Sequence, residues 1–400
     1  MQLFLLLDYH SCFCFKLFPL SKYYIIAGEA SGDLHGANLI KEIKKLDSNA
    51  TFRCWGGDLM KEEGVELVKH YKDLAFMGFL EVIKNIRTIF KNMKFCKEDI
   101  VKYEPDAVIF IDYPGFNLRI AEFVHENKIP TFYYVSPQVW AWKSSRVKKI
   151  KVVVDKMYVI LPFEKAFYKK FGYDVAFVGH PLIDAIGQFK EKAILKQVFC
   201  EKYGLNEKPI IALLPGSRSQ EIEKKLPIML SVVSKYKEYQ FVIAGAPARS
   251  KEYYAPFLSK ENVHVVLNDT YNLLNNSHSA LVTSGTATLE TALFKVPQVV
   301  CYKSSAFSYR IAKLLIGKRI KFISLVNLIA GKEIVKELIQ TELNYSNLIK
   351  ELGYIVSAEG RENMLKEYNL LEDKCGGTGA SFNTANGMLK TLEELNRSRN

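Results

Sequence analysis

Short apolar runs alternate with amphipathic stretches along most of this chain. The runs are rich in Val, Ile, Phe and Tyr and end at Gly, Pro or polar residues, which is typical of buried β-strands. Their alternation with helical stretches predicts an α/β fold, and uninterrupted apolar runs predict parallel strands covered on both faces. The first series of runs occupies residues 23–27, 52–55, 107–111, 131–135, 157–160 and 175–178, and the second occupies 209–214, 241–245, 263–267, 280–284 and 298–302.

The two series predict two domains in tandem. The strand pattern pauses between them, at Gly179 and Pro181, and 400 residues are enough for two domains of ordinary size. We therefore predict two doubly wound, Rossmann-like domains with an interdomain cleft at the carboxyl ends of their strands, where such folds bind ligands. The predicted boundaries are 21–184, 185–355 and a C-terminal helical segment at 356–400, for which packing against the first domain is one arrangement that the sequence allows.

Residues 1–20 resemble a signal peptide only superficially. They have no basic start and no A-x-A cleavage site, and Asp8 and His10 interrupt the apolar stretch. We interpret this segment as an extension outside the fold. A membrane-contacting segment is the alternative.

The composition narrows the class of partner. The chain is globular in composition and carries a net charge of +12, which favours an anionic partner: nucleic acid, an anionic membrane or a phosphorylated substrate. No nucleic-acid-binding module is recognisable and both halves are similarly basic, so we expect no nucleic acid partner. The seven cysteines form no C-x-x-C pair and the histidines no H-E-x-x-H, so we expect reduced thiols, no metal and no other cofactor.

Two motifs of the first half place carboxylates at strand ends. GEASGD (28–33) follows the first strand and opens a helix, and FIDYPGFN (110–117) follows the strand at 107–111. Asp112 is a candidate general base, with Asn117 beside it, and Glu29 is the second catalytic candidate. The alternatives stay open: Asp112 as the cap of a turn, Glu29 as a solvated loop residue and Asp33 as a plain helix cap.

A third motif combines aromatic and basic residues. SPQVWAW (136–142) contains Trp140 and leads into Lys143, Arg146, Lys148, Lys149 and Lys151. This segment fits a phosphate, an anionic membrane, or a solvated helix face over Val147 and Ile150, and the sequence does not decide among them.

Two motifs of the second half suit a diphosphate. LPGSR (214–218) follows the first strand of the second series, and its Arg218 is a bidentate donor, with pairing to Glu221 or Glu223 as the alternative. TSGTATLE (283–290) opens a helix at Gly285 and Thr286, whose free N–H groups favour an incoming phosphate. Glu290, one turn later, is placed to accept both hydroxyls of a ribose. No D-x-D pair occurs, which favours charge neutralisation by protein groups.

Taken together, these blocks resemble the lipid-A-disaccharide synthase family of inverting, two-domain GT-B glycosyltransferases. The resemblance runs from about Lys22 to the end of the chain. Two departures are the additional residues 1–20 and Val326, where many members have Pro. The blocks that carry the resemblance are IAGEASGDLHGA (26–37), FMGFLEV (76–82), IDYPGFN, SPQVWAW, VGHPL (178–182), LPGSR, TSGTATLE and NLIA (327–330).

The resemblance implies transfer of 2,3-diacylglucosamine from UDP to 2,3-diacylglucosamine 1-phosphate, with the acceptor mainly on the first domain and UDP on the second. It implies a cytoplasmic enzyme peripherally bound to the inner face of the cytoplasmic membrane, for which the segment 74–90 offers an apolar, basic surface. An ordinary amphipathic core helix is the alternative for that segment. A homodimer is an oligomeric state that the sequence leaves open. The substrate-binding candidates are Ser31, Asp33, Asn117, Gln138, Trp140, Ser217, Arg218, Gly285, Thr286, Glu290 and Asn327.

Three other functions remain as alternatives. The UDP-GlcNAc 2-epimerases and the peptidoglycan-type N-acetylglucosaminyltransferases share the UDP half of the fold, but we expect them to lack the IDYPGFN and SPQVWAW blocks. A non-catalytic lipid-binding protein is the third, and it would leave Arg218 and Glu290 without a task.

Overall fold

The computed structural model describes residues 21–74, 86–142, 144–259, 261–305 and 321–399. They divide into two compact units: unit 1 holds the described residues of Met1–Phe132 and Ala385–Asn400, and unit 2 holds those of Tyr133–Thr384. The predicted extension 1–20, most of the apolar segment 74–90 and Lys143 lie outside the described residues.

The first sheet has seven strands in the order β3-β2-β1-β4-β5-β6-β7. The strand pairs β1–β2, β1–β4, β2–β3 and β6–β7 are parallel, and Ala27 at the end of β1 stands opposite Ile111 at the end of β4. β4 is buried along its whole length and β1 from Tyr23 to Ala27, because helices follow both strands along the chain. The strands are β1 Lys22–Ala27, β2 Thr51–Gly56, β3 Glu66–His70, β4 Ala107–Ile111, β5 Thr131–Tyr134, β6 Lys156–Val159 and β7 Ala176–Phe177.

The second sheet lies in unit 2 and has six strands in the order β10-β9-β8-β11-β12-β13, all parallel. From β8 the strands are added first on one side of the sheet and then, starting with β11, on the other. The position between β8 and β11 is the switch point where doubly wound sheets bind ligands. The predicted α/β class with two Rossmann-like sheets is confirmed. The strands are β8 Ile210–Leu214, β9 Gln240–Gly245, β10 Val263–Leu267, β11 Ser279–Thr283, β12 Gln298–Tyr302 and β13 Glu337–Ile339.

Helices connect the strands and bury their apolar faces. In α1, for example, Leu39, Ile40 and Ile43 are fully buried. Numbered over the described residues, the helices are α1 Ala30–Leu46, α2 Asp58–Glu62, α3 Ile86–Tyr103, α4 Pro114–Glu126, α5 Val139–Trp142, α6 Arg146–Val153, α7 Pro162–Lys169, α8 Pro181–Lys190, α9 Lys196–Tyr203, α10 Ser219–Leu230, α11 Lys251–Tyr254, α12 Thr270–Asn275, α13 Thr286–Leu293, α14 Leu325–Ala330, α15 Tyr345–Val356, α16 Ala358–Lys374 and α17 Ala380–Arg399.

Candidate active site

Asp112 and Glu29 lie at the switch point of the first sheet. Each follows the end of one of two adjacent parallel strands, β4 and β1. Asp112 and Tyr113 have φ values of 44° and 49°. These values lie in the left-handed region, which is energetically unfavourable for residues other than glycine. The chain therefore turns sharply after β4 before α4 begins at Pro114.

Asn117 holds this turn in place. Its side chain is completely buried in α4, and its Nδ2 donates hydrogen bonds to three main-chain carbonyls. The distances are 2.8 Å to Asp112, 3.3 Å to Ile111 and 3.3 Å to Ile26. The predicted neighbourhood of Asn117 and Asp112 is thus present, and in the structure Asn117 contacts the main chain of Asp112.

Gly28 is required beside this turn. The ring of Tyr113 lies where a Cβ on Gly28 would stand, so any other residue would displace the ring. The ring also stacks on Phe116 with centroids 5.6 Å apart. The strand end that carries Glu29 is therefore packed directly against the turn that carries Asp112.

The environment raises the basicity of Asp112. Burial, and then the negative charge of Glu29, raise the pKa of Asp112 to about 6, while a hydrogen bond from the Tyr113 main chain acts in the opposite direction. A carboxylate of this pKa is ionised at neutral pH and accepts a proton more readily than an ordinary Asp. Glu29 is half-buried at the start of α1, where its side chain makes no capping bond, and Ser31 is exposed in the first turn.

Asp33 has a structural role in the fold. It lies within α1, buried, and its carboxylate accepts hydrogen bonds from the main-chain N–H groups of Gly57 (2.7 Å), Leu59 (3.1 Å) and Met60 (3.1 Å). It therefore caps the start of α2 rather than that of its own helix. These bonds account for its carboxylate without a substrate.

The SPQVWAW segment lies in unit 2, after β5. Gln138 is exposed, and Trp140 packs edge-on against Phe163 with centroids 5.0 Å apart. Ser136 anchors the segment by donating to the carboxylate of Glu164, which is buried and also accepts from the N–H of Leu161 at 3.0 Å. Burial raises the pKa of Glu164 to about 7 against these hydrogen bonds. Sequence analysis did not single out Glu164.

A pocket of about 350 Å³ opens at the switch point of the second sheet. It lies at the carboxyl ends of β8, β9 and β11, and it is lined by all five candidates that the two motifs of this half supplied. Those five are Ser217, Arg218, Gly285, Thr286 and Glu290; the other lining residues include Gly216, Glu221, Gly245, Thr270, Thr283 and Ser284.

One wall of this pocket is the β8–α10 turn. Gly216 has a φ of 117°, a conformation that favours glycine, and a Cβ there would collide with Glu221. Arg218 is 67% exposed, and its Nη1 lies 4.0 Å from Oε1 of Glu221. The predicted alternative, pairing with Glu221, is thus present as a contact at the limit of ion-pair distance.

The opposite wall is the start of α13. Gly285 has a φ of 148° and precedes the exposed Thr286, and both residues line the pocket, so the start of α13 lies at this site. Glu290 lies one turn further along the helix and accepts a hydrogen bond of 2.9 Å from Tyr271 Oη. Burial raises the pKa of Glu290, and the bond from Tyr271 acts against it. Tyr271 was not among the predicted residues. Its ring packs against the rings of Phe189 and Phe294, which fix its position.

Asn327 is completely buried and is not among the residues that line this pocket. Its Nδ2 donates to Val335 O (2.8 Å) and Glu337 Oε1 (2.9 Å), and its Oδ1 accepts from the N–H groups of Ile334 (2.8 Å) and Val335 (3.0 Å). Both ends of the amide are therefore occupied within the fold, which gives Asn327 a structural role.

Metal-binding groups and membrane-spanning helices are both absent from the part of the chain that the structure describes. Within the residues that the structure describes, no three His, Cys, Asp or Glu side chains come together as a metal-binding group. Across the same residues, no helix combines the length and the apolar character needed to cross a bilayer.

The two parallel sheets and their helices define the class of α/β proteins with two Rossmann-like domains. Solved structures of that class share the fold: UDP-GlcNAc 2-epimerase from Neisseria meningitidis, bound to UDP-GlcNAc, aligns over 92% of this chain and 100% of its own with a TM-score of 0.67 and 16% identity. The S. aureus MnaA–UDP structure aligns over 93% and 97% with a TM-score of 0.67 and 16% identity.

The sequence identifies the family within this class. The family profile described as lipid-A-disaccharide synthetase matches residues 23–375. Lipid-A-disaccharide synthase of Syntrophus aciditrophicus is 40% identical over 90% of this chain and 95% of its own, and that of Geobacter metallireducens is 36% identical over 94% and 98%. The chain belongs to the lipid-A-disaccharide synthetase family, and it is a glycosyltransferase.

Proposed function

We propose that this enzyme transfers 2,3-diacylglucosamine from UDP to 2,3-diacylglucosamine 1-phosphate and releases UDP. The observation that carries the proposal is the second-sheet pocket, which brings an arginine, a helix start and a half-buried carboxylate to one ligand site in a chain of this family. The similarity to the 2-epimerases is one of fold, at 16% identity, and does not favour their reaction.

UDP is assigned to the pocket of unit 2. Arg218 and the first-turn N–H groups at Gly285 and Thr286 would bind the diphosphate, because cationic and N–H donors stabilise the charge that develops on a leaving group. Ser217 would add a hydroxyl, and Glu290 would accept the ribose hydroxyls. Tyr271 supports this assignment by fixing the Glu290 carboxylate.

Proton acceptance is assigned to Asp112 in unit 1. The 6-hydroxyl oxygen of the acceptor attacks the anomeric carbon of the donor, its proton passes to Asp112, and the bond to the diphosphate oxygen breaks with inversion. General-base assistance of this kind contributes about 10²–10⁴ in rate. Glu29 and Ser31 would orient the acceptor, with Gln138 and Trp140 as further contacts, and Glu29 is the alternative base.

The proposed division between acceptor binding and UDP binding also applies to the domains predicted from the sequence. We assign acceptor binding to residues 21–184 and UDP-sugar binding to 185–355, with 356–400 as a helical segment. Helices α16 and α17 lie within that segment and support its assignment as helical. The catalytic candidates fall in the first range and the diphosphate-binding candidates in the second.

Acylated substrates require an apolar surface, because removing one methylene from a bilayer costs about 0.8 kcal/mol. Helix α3 supplies one in unit 1, with cations suited to an anionic leaflet beside its apolar side chains. We therefore propose peripheral binding to the cytoplasmic face of the inner membrane. The exposed residues are Ile86, Phe90 and Phe95, with Arg87, Lys91 and Lys94.

Vesicle flotation tests this surface. Phe90→Asp should lower binding to vesicles that contain anionic lipid, whereas Leu370→Asp, an equally exposed position on α16, should not. Equal binding of both variants would contradict a role for α3. Sedimentation of the same proteins without vesicles tests whether the chain forms a homodimer.

Turnover tests the reaction itself. Incubation with both acylated sugars should release UDP and disaccharide 1-phosphate in equal amounts. Epimerisation of UDP-GlcNAc without disaccharide would favour the 2-epimerase alternative, and binding of acylated sugar without UDP release would favour a lipid-binding protein.

A further inference from the structure

Lys225 carries a charge into the interior directly behind the second-sheet pocket. It lies in the second turn of α10, and its side chain is 2% exposed. Its ammonium group donates a hydrogen bond to Oγ1 of Thr283, a residue of the pocket wall. Lysines are seldom buried in this way, because an ammonium group loses its hydration there.

Glu221 places a carboxylate within ion-pair distance of this ammonium group. Its Oε2 lies 3.9 Å from Nζ of Lys225, and its Oε1 lies 4.0 Å from Nη1 of Arg218. Glu221 itself lines the pocket and is 35% exposed. The pocket proposed for a diphosphate therefore holds a protein carboxylate between two cations.

A diphosphate entering this pocket would be repelled by Glu221 and attracted by the two cations. Both ion pairs of Glu221 are at the limit of contact distance, and its partial exposure lets water solvate the carboxylate if it turns away. Lys225 cannot follow, because it is buried between α10 and β11. Its ammonium group therefore stays in the same position whichever anion is present.

We propose that Lys225 is a positioning residue that keeps a positive charge behind the diphosphate site, and that Glu221 is its counter-ion until the diphosphate replaces it. This inference rests on the proposed binding of UDP in the same pocket. It deepens that proposal by adding the Lys225–Glu221 pair to Arg218 and the start of α13 in the recognition of the diphosphate, as distinct from the nucleoside.

A purely structural role for Lys225 predicts a different result. If the lysine only ties α10 to β11 through Thr283, its replacement would loosen the pocket for every ligand equally. The two roles are separated by comparing UDP with uridine, which lacks the phosphates but occupies the same nucleoside contacts.

The experiment is titration calorimetry with UDP and uridine on the full chain. Lys225→Met should weaken UDP binding about tenfold, the scale of a partly screened charge interaction, and leave uridine binding unchanged. Glu221→Gln should strengthen UDP binding severalfold, again without an effect on uridine. Lys225→Arg should restore UDP affinity, and Lys224→Met, which removes the neighbouring charge on the same helix, should change neither ligand.

The possible failures are distinguishable. Equal losses of UDP and uridine affinity in Lys225→Met, or no gain in Glu221→Gln, would overturn the inference while the UDP site stands. A wild-type chain that binds neither ligand would overturn the proposed function together with the inference. Should Lys225→Met not fold, as its melting temperature would reveal, Glu221→Gln decides the question because its side chain is partly exposed.

Discussion

The side-chain amide of Asn117 is hydrogen-bonded to the main-chain carbonyl of Asp112, at 2.8 Å. Asp112 adopts a left-handed conformation there, with a φ of 44° that a residue with a side chain rarely adopts unless its surroundings fix it. The same amide reaches Ile26 and Ile111, so it joins the ends of β1 and β4 to the turn between β4 and α4. The position of the proposed base thus depends on a residue that is itself buried.

Asn117→Ala should therefore affect stability and turnover together. It leaves three buried carbonyls without their donor, at a cost of about 1–3 kcal/mol, and it frees the Asp112 turn to relax. Chemical denaturation and kcat measure the two effects. Asn127→Ala is the matched control, because it removes one exposed side-chain bond, to Phe123 O, at the other end of α4. Equal effects of the two variants would contradict the special role of Asn117.

Asp112→Asn tests the base directly. The substitution keeps the shape of the side chain and removes the proton-accepting carboxylate, so kcat should fall by about 10²-fold or more. UDP affinity, measured by calorimetry, should stay nearly unchanged because UDP is assigned to the other unit. Near-normal turnover would make Asp112 a turn residue and Glu29 the leading base.

The pH dependence of the rate follows from the pKa of Asp112, which burial and then Glu29 raise to about 6. A general base acts only when deprotonated, so kcat/KM should fall as the pH is lowered through about 6. Glu29→Gln removes the neighbouring negative charge, lowers the pKa of Asp112 and moves this acidic limb to lower pH. Glu62→Gln, an exposed carboxylate of the same unit, should leave the limb in place. An unmoved limb in Glu29→Gln would mean that another group controls it.

The sequence predicted the interior strands well because burial on both faces leaves an uninterrupted apolar run. The interior strands at 107–111 and 298–302 have the predicted bounds. Two strands were missed, and both lie at sheet edges: β3 at Glu66–His70 and β13 at Glu337–Ile339. β3 is only partly buried, and β13 has three residues, one of which is Glu337, so neither strand has the apolar pattern on which the prediction relied.

The site candidates show a related limit. A motif reveals which residues follow a strand, and the five candidates of the second half do line one pocket. It does not reveal where a buried polar side chain finds its partners. Asp33 and Asn327 belong to the recognised blocks, yet their hydrogen bonds go to main-chain groups and, for Asn327, to Glu337. Tyr271 and Lys225 lie outside the recognised blocks, and only the fold brings them to Glu290 and Thr283.

Asn327→Ala should consequently act on stability alone. Its amide makes four hydrogen bonds that close the chain between α14 and β13, and removing them leaves buried partners unsatisfied. We expect a loss of about 1–3 kcal/mol in denaturation, with the Kd for UDP of the remaining folded protein unchanged. A large loss of UDP affinity without a loss of stability would return Asn327 to the substrate-binding residues.

Glu290 is the candidate whose role the structure makes sharpest, because Tyr271 Oη fixes its carboxylate at 2.9 Å beside the start of α13. If the free part of the carboxylate accepts ribose hydroxyls, Glu290→Ala should weaken UDP binding about tenfold, the scale of a hydrogen bond to a charged group.

The loss of UDP affinity should depend on the ribose. The wild type should bind 2′-deoxy-UDP more weakly than UDP, whereas Glu290→Ala should bind the two alike, since the group that reads the hydroxyl is gone. Tyr271→Phe keeps the ring and releases the carboxylate, so it should give a smaller loss with the same dependence on the ribose hydroxyl. Calorimetry on the three proteins with the two nucleotides measures this coupling. If Glu290→Ala still preferred UDP over its deoxy analogue by the wild-type ratio, ribose recognition would belong to another residue.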